Sequence, residues 1–300
     1  MKIGIAVDGS SHAVAGVELV ASLPLQGGDH VTVVAVVEPP ILLGMAPFGQ
    51  VPSVSGFVGE LVEMSRERAR QTVQHAAERL IGLPCPVDAV VRAGHPIESL
   101  ARFAADVGLD LLVVGPRGRG SIGSILLGSV LQALLHALPT SILVARPPTR
   151  TPMRVLLAVD GSSPSMEAAR YVAGFPLPAE VDIRVVVSVT PWTEEYAAIR
   201  GADFLELLAG ERRHAAEIAR RAIAILEEHG RHGRPLIRDG DPKREILDAA
   251  RELDADLIVT GARGVGGFKG LVLGSVSRGV SKAAPCSTLV VAQHRSGPAS

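Results

Sequence analysis

Two glycine-rich segments have the residue types and spacing of a turn that binds phosphate. In the second half of the chain, Gly261-Ala262-Arg263-Gly264 follows the apolar run 257–259, and nine residues separate Gly264 from Gly274-Ser275. A glycine turn between a strand and a helix exposes backbone N–H groups that can donate to phosphate oxygens. The positive end of the helix dipole adds to the attraction. The pattern therefore predicts an anion-binding turn.

The first half of the chain contains the same arrangement. Gly115-Pro116-Arg117-Gly118 and Gly128-Ser129 keep the spacing of nine residues. Upstream, Val-Asp-Gly-Ser occurs at 7–10 and again at 159–162, so that Asp8 and Asp160 precede the two glycine segments. The chain thus contains one sequence unit twice, and its two copies are called the first and second repeats below.

Strands and helices alternate along each repeat. Short apolar runs in the first repeat predict five strands, with amphipathic helices between them, and Ser10 or Ser11 can cap the first helix. This alternation specifies a parallel sheet with helices on both faces. The predicted fold class is α/β, with two tandem doubly wound parallel five-stranded sheets. The predicted strands are 3–7, 31–37, 87–91, 111–114 and 141–145.

Domain limits follow from the repeats and from proline content. We place the domains at 1–146 and 153–295, with a proline-rich linker at 147–152 and a tail at 296–300. Residues 39–56, with four prolines and three glycines, predict a loop.

In parallel sheets ligands bind beyond the carboxyl ends of the strands. The aspartate after strand one and the glycine segment after strand four should therefore lie at one edge of each sheet.

Composition excludes several classes of protein. The 30 Lys+Arg and 31 Asp+Glu residues balance, which argues against a nucleic-acid-binding surface. Cys85 and Cys286 form neither a metal-ligand spacing nor a disulfide framework, which favours a reducing compartment. The chain begins directly with a strand, without a signal peptide, and no apolar run reaches the roughly 18 residues of a membrane span. We therefore expect a soluble, cytoplasmic protein.

The motifs cover both repeats nearly end to end and resemble those of tandem universal stress proteins. The shared features are the Val-Asp-Gly-Ser turn, a Gly-x-Pro motif before the third helix, and the Gly-x2-Gly-x9-Gly-Ser signature of ATP-binding members. The resemblance implies a five-stranded α/β sandwich that holds ATP, with Mg²⁺, at the carboxyl end of the sheet. The aspartate and a strand-two valine would serve the nucleoside, and the signature residues the ribose and phosphates. The implied contacts are Asp8, Val36, Gly115, Gly118, Gly128, Ser129 and Val130, and Asp160, Val189, Gly261, Gly264, Gly274, Ser275 and Val276.

Structural alternatives to these roles remain open. Each aspartate could serve only to shape its turn, and each Gly-x2-Gly could be only a tight turn. Arg117 and Arg263 are either phosphate contacts or solvated loop residues, and their equivalent positions in the two repeats favour a functional role for the pair. Pro116 removes an N–H group where the second repeat has Ala262, so the prediction is stronger for the second repeat.

Three functions fit these features. The first is a stress-associated regulatory protein with one adenine-nucleotide site per repeat, in which ATP alters conformation or partner binding. The second is a slow ATPase or another adenine-nucleotide-using enzyme, although the P-loop motif Gly-x4-Gly-Lys-Ser/Thr is absent. The third is a structural pair that has lost nucleotide binding. The last strand of this family often pairs across a dimer, so 141–145 and 288–292 would make the chain an internal pseudo-dimer, with further homodimerisation left open.

Overall fold

The computed structural model describes residues 1–38, 52–116, 128–137, 140–147, 151, 153–189, 202–264 and 273–292. The chain forms two compact units, Met1–Thr140 and Ser141–Ser300. Strand 141–144, which the sequence repeat assigns to the first copy, thus belongs to the second compact unit.

The first unit is a parallel sheet with strand order β3-β2-β1-β4. Each strand is followed by a helix, as the alternation in the sequence predicts. Its elements are β1 Lys2–Ala6, α1 Ser11–Ser22, β2 His30–Val37, α2 Pro52–Glu78, β3 Val87–Ala93, α3 Pro96–Val107, β4 Leu111–Val114 and α4 Ser129–Ala137.

The second unit repeats this order and adds one strand, giving β5-β10-β9-β6-β7-β8. Neighbouring strands are parallel except β5 and β10, which are antiparallel. Its elements are β5 Ser141–Val144, β6 Arg154–Ala158, α5 Ser163–Gly174, β7 Asp182–Val189, α6 Ala202–Glu227, β8 Gly233–Asp239, α7 Pro242–Glu252, β9 Leu257–Gly261, α8 Ser275–Ala283 and β10 Ser287–Val291. The α/β fold class is confirmed.

The central strands are buried because helices cover them. Strand β9 is buried along its whole length, as expected for a parallel strand packed on both faces. On one face, Leu156 and Ile258 pack with Ile246 of α7 and Val280 of α8. Helices α5 and α6 pack against each other and against β9 and β7, respectively. The sheet therefore holds the ends of β6 and β9 in fixed positions.

Helix ends follow the local sequence in most places. Ser10 caps α1 by accepting a hydrogen bond from the Ala13 N–H at 3.2 Å, and Ser162 caps α5 by accepting one from the Ser165 N–H at 3.4 Å. The predicted loop 39–56 is wrong at its end, because α2 begins at Pro52. Proline is favoured in the first turn of a helix, where its missing N–H costs nothing. Residues 39–51 lie outside the described part of the chain.

Both cysteines are buried and free. Burial raises the pKa of the Cys286 thiol to about 12, and the nearby Arg146 guanidinium only partly offsets this effect. The thiol therefore stays protonated at neutral pH, which is typical of a structural rather than a reactive cysteine.

Among the described helices, none is both long and apolar enough to cross a membrane.

Strands β5 and β10 pair with local two-fold symmetry. Leu143 lies opposite Leu289, its counterpart in the other repeat. The Ser287 hydroxyl accepts a hydrogen bond from the Arg146 N–H at 3.0 Å, and the Ser141 hydroxyl accepts one from the Ala292 N–H at 3.2 Å. The predicted pairing of the two last strands is confirmed.

Arg146 breaks this symmetry, because its counterpart is Ala292. Its guanidinium donates to the carbonyl oxygens of Ser281 and Cys286 and to the Thr288 hydroxyl. Ser281 lies near the carboxyl end of α8, where a cation is favoured by the helix dipole. The residue that follows β5 thus fixes the end of α8.

Replacing Arg146 with alanine should destabilise the protein. We expect Arg146→Ala to lower the free energy of unfolding by about 2 kcal/mol, because carbonyl acceptors lose a charged donor. Arg170→Ala is the control, since Arg170 is exposed on α5 and pairs with Glu167 one turn earlier, and we expect a change below about 0.5 kcal/mol. Urea denaturation followed by circular dichroism measures both, and equal effects would contradict the role of Arg146.

Candidate functional site

The carboxyl ends of β6 and β9 lie side by side in the second unit. The two strands are neighbours, with Ala158 opposite Thr260, so the turn after β6 and the glycine segment after β9 begin at the same edge. Asp160 follows β6, and its carboxylate accepts hydrogen bonds from the Ser162 N–H at 3.0 Å and the Ser162 hydroxyl at 2.5 Å. Gly161 has a φ of 83°, which favours glycine in this turn.

Gly264 lies against the Asp160 carboxylate. A Cβ atom added to Gly264 would overlap Asp160 Oδ2. A larger residue at this position would push the carboxylate away, so glycine allows the backbone to lie this close to it. The structure therefore places Asp160 beside the glycine segment, at the edge where the sequence predicts both.

Gly261 has a packing role that the sequence analysis missed. A Cβ atom here would lie 2.5 Å from the Pro164 carbonyl oxygen and 2.7 Å from its carbon. Pro164 belongs to the first turn of α5, so the end of β9 touches the backbone of that helix directly. In the first repeat, a Cβ atom on Gly115 would lie 2.7 Å from both the His12 carbonyl carbon and its oxygen. The first glycine of each segment is thus explained by close packing of strand on helix.

The start of α8 is attached to the glycine segment. Gly274 is the N-cap residue, and it provides no side-chain hydrogen bond to the helix. Its N–H donates to the Ala262 carbonyl oxygen at 2.7 Å. One turn further, the buried Ser277 hydroxyl donates to the Gly261 carbonyl oxygen at 2.6 Å. These bonds hold the amino end of α8, where N–H groups lack intrahelical partners, over the segment 261–264.

Ser277 and Pro164 were not among the sequence-predicted residues. No local pattern in the sequence points to the Ser277 bond, because its acceptor, the Gly261 carbonyl oxygen, lies sixteen positions earlier in the chain. Nothing in the sequence points to Pro164, because its contact with Gly261 joins residues almost one hundred positions apart.

Charges of both signs meet at this edge. Arg263 is half-buried and makes no hydrogen bond or ion pair with the residues that the structure describes. Ser275 is exposed and Val276 is half-buried, both at the start of α8. The amino end of α8 and Arg263 are positive, whereas Asp160 is negative. The site can therefore accept an anion on one side and hydrogen-bond donors on the other.

The first unit shows the same pattern where it is described. Asp8 Oδ1 accepts a hydrogen bond from the Ser10 N–H at 2.9 Å, and Gly9 has a φ of 77°. The Gly128 N–H donates to the Pro116 carbonyl oxygen at 3.1 Å, as Gly274 does to Ala262. Val130 is half-buried in α4. Arg117, Gly118 and the side chain of Ser129 lie outside the described residues.

The two strand-two valines do not occupy equivalent positions. The Gly240 N–H donates to the Val189 carbonyl oxygen at 2.9 Å, whereas its counterpart Gly94 donates to Val37 at 3.0 Å. Val189 therefore corresponds to Val37, and Val36 corresponds to Ser188. Treating Val36 and Val189 as equivalent positions of the two repeats is therefore wrong by one residue. Two successive valines leave the alignment of the repeats open in the sequence, and the hydrogen bonds between the strands fix it.

Among the described residues, no group of three or more His, Cys, Asp or Glu side chains could hold a metal ion. The feature that both units share is the carboxyl edge of two neighbouring strands, β6 and β9 in the second unit and β1 and β4 in the first.

Each repeat thus contains parallel strands covered by helices, with a glycine segment after its fourth strand, and the chain is a duplicated α/β fold. A model of the universal stress protein family matches residues 1–146 and 152–292. The chain therefore belongs to the universal stress protein family, with two copies of the domain.

Some of the similar proteins match the chain across both copies of the domain. The chain is 29% identical over 312 residues to a universal stress protein of Mycobacterium tuberculosis, covering 97% of this chain and 94% of that protein. It is 29% identical over 256 residues to one of Mycolicibacterium smegmatis, covering 78% and 80%. The crystal structure of a universal stress protein from Archaeoglobus fulgidus matches with a TM-score of 0.60 at 18% identity, covering 96% and 97%. The last comparison supports the fold.

Two glycines of one segment should respond differently to alanine. Gly261→Ala places a Cβ atom against backbone that cannot yield, and we expect a loss of about 2 kcal/mol of stability or more. Gly274→Ala places its Cβ atom no closer than 3.5 Å to its neighbours, and we expect a loss of about 1 kcal/mol or less, from the weaker N-cap. Urea denaturation of the two variants compares them, and equal losses would contradict the packing role of Gly261.

Proposed function

We propose that each repeat binds one adenine nucleotide, ATP with Mg²⁺, at the carboxyl edge of its sheet. The nucleotide state then changes the conformation or the partner affinity of the chain, which makes it a stress-associated regulatory protein of the cytoplasm. The observation that carries the proposal is the contact between Gly264 and the Asp160 carboxylate. It brings a nucleoside-type acceptor beside the glycine segment, to which the amino end of α8 is attached.

The two ends of a nucleotide need different partners, and the site offers both. An ionised aspartate only accepts hydrogen bonds, so Asp160 suits ribose hydroxyls or the adenine amino group and would repel phosphate. Phosphates belong instead at the amino end of α8, with Ser275 and Val276, where N–H groups and the helix dipole favour anions. Arg263 adds a cation to the same end.

The backbone along 261–264 supports this assignment. Gly264 carries no side chain, so a ligand can approach its backbone closely, whereas the Gly274 N–H already donates to the Ala262 carbonyl oxygen. A Cβ atom added to Gly274 would lie 3.5 Å from Arg263 Cα, so the two ends of the signature lie close together. In the first repeat, Asp8, Gly115, Gly128 and Val130 provide the same framework. Pro116 lacks an N–H group there, but the equivalent Ala262 N–H donates to the Val291 carbonyl oxygen and is not available to a ligand.

A regulatory role is favoured over an efficient ATPase. The chain lacks the P-loop lysine that neutralises the β- and γ-phosphates in many nucleotide hydrolases. Binding without rapid hydrolysis lets the nucleotide act as a stable signal. Since β5 and β10 pair as counterparts, the chain forms an internal pseudo-dimer in this proposal.

Purified protein should carry adenine nucleotide. We expect up to two per chain when bound small molecules are released by heat and separated by ion-exchange chromatography. Incubation of the eluted nucleotide with the protein then reports any slow hydrolysis. An empty chromatogram, together with an unchanged melting temperature on addition of ATP and Mg²⁺, would refute the proposal.

Asp160→Asn should weaken nucleotide binding to the second repeat. The amide keeps one oxygen for Ser162 but replaces the other acceptor, so we expect the affinity to fall about tenfold, equivalent to about 1.4 kcal/mol. Asp182→Asn is the control, since Asp182 lies at the opposite end of the sheet, at the start of β7, and pairs with Arg184. Isothermal titration calorimetry measures both variants. A control that weakens binding equally would contradict the assigned position of the site.

A further inference from the structure

Ser277 is a buried polar residue that the proposed contacts do not use. Its side chain is 5% exposed, and its hydroxyl donates to the Gly261 carbonyl oxygen at 2.6 Å. The bond joins the first turn of α8 to the last residue of β9, sixteen positions earlier in the chain. A hydrogen bond this well buried is not weakened by competition from water.

This bond fixes a helix that has no side-chain cap. Gly274 provides only the N–H bond to Ala262, on one side of the helix start. The Ser277 bond adds a second attachment one turn further on. Two attachments to the same segment define the direction of α8, and with it the direction of the N–H groups of Ser275 and Val276.

The anchor exists in the second repeat alone. The counterpart of Ser277 is Leu131, which is 3% exposed and has no hydroxyl. Apolar packing holds α4 in place, but packing is non-directional and does not fix the helix start as a hydrogen bond does. Both repeats attach the helix start through a glycine N–H, but only the second repeat adds a side-chain hydrogen bond one turn further on.

We propose that Ser277 is a positioning residue for nucleotide binding in the second repeat. It does not contact the ligand. Its hydroxyl holds the amino end of α8 at the distance and angle at which backbone N–H groups meet the phosphates. This inference rests on the proposed function, because it names the residue that prepares the same site.

The chain offers a matched control on the same helix. Ser281 is 1% exposed, and its hydroxyl has no hydrogen-bond partner among the described residues. Ser281→Ala removes the same atom from the same helix without breaking a hydrogen bond. It therefore reports what the loss of a buried hydroxyl does by itself.

The test measures ATP affinity by calorimetry in an Asp8→Ala background, which isolates the second site. We expect Ser277→Ala to weaken binding about fivefold, which is the scale of one net hydrogen bond. Ser281→Ala should leave the affinity unchanged. Ser277→Thr, which keeps the hydroxyl, should restore most of the affinity. Melting temperatures without nucleotide are recorded for every variant.

Each outcome decides the inference. Unchanged affinity in Ser277→Ala, or an equal loss in Ser281→Ala, would overturn it while leaving the proposed function intact. Absence of binding in both the wild-type chain and the Asp8→Ala chain would overturn the proposed function, and this inference with it. If Ser277→Ala fails to fold, Ser277→Cys carries the test, because a thiol has nearly the same shape but is a weak donor. Wild-type affinity in that variant would overturn the inference.

Discussion

Where β9 ends, its last residue touches the backbone of the first turn of α5, and this contact leaves no room for a side chain. Gly261 satisfies the constraint in the second repeat, and Gly115 satisfies it against α1 in the first. The contact sets the distance between strand and helix at the carboxyl edge of the sheet. The turn that carries Asp160, the segment 261–264 and the start of α8 all take their positions from it.

The three glycines of the second signature therefore have different structural roles. Gly261 permits close packing, Gly264 permits close approach to the Asp160 carboxylate, and Gly274 begins a helix without a side-chain cap. Each glycine in the repeated spacing thus has its own structural reason. A change at any one position would disturb either the packing of the sheet or the open backbone groups that an anion needs.

The repeats are joined by backbone pairing and by one asymmetric side chain. Strands β5 and β10 meet as counterparts, with serine hydroxyls closing both ends of the ladder. Arg146 then reaches the carboxyl end of α8, while Ser277 holds its amino end. The helix at the second candidate site is thus fixed at both ends, and one of those attachments comes from the first repeat.

The sequence by itself determined the features that depend on neighbours along the chain. The duplication, the alternation of strands and helices, the serine caps and the left-handed glycines Gly9 and Gly161 all follow from local residue chemistry. Even the shared edge of Asp160 and the glycine segment could be predicted, since strand ends in parallel sheets meet on one side. The tertiary structure alone decided the packing role of Gly261, the hydrogen bond of Ser277 and the contacts of Arg146 with α8. It also decided that Val189 and Val37 are equivalent positions in the two repeats. Each of these depends on a contact between residues far apart in the chain, and no local pattern encodes which distant backbone group a side chain will meet.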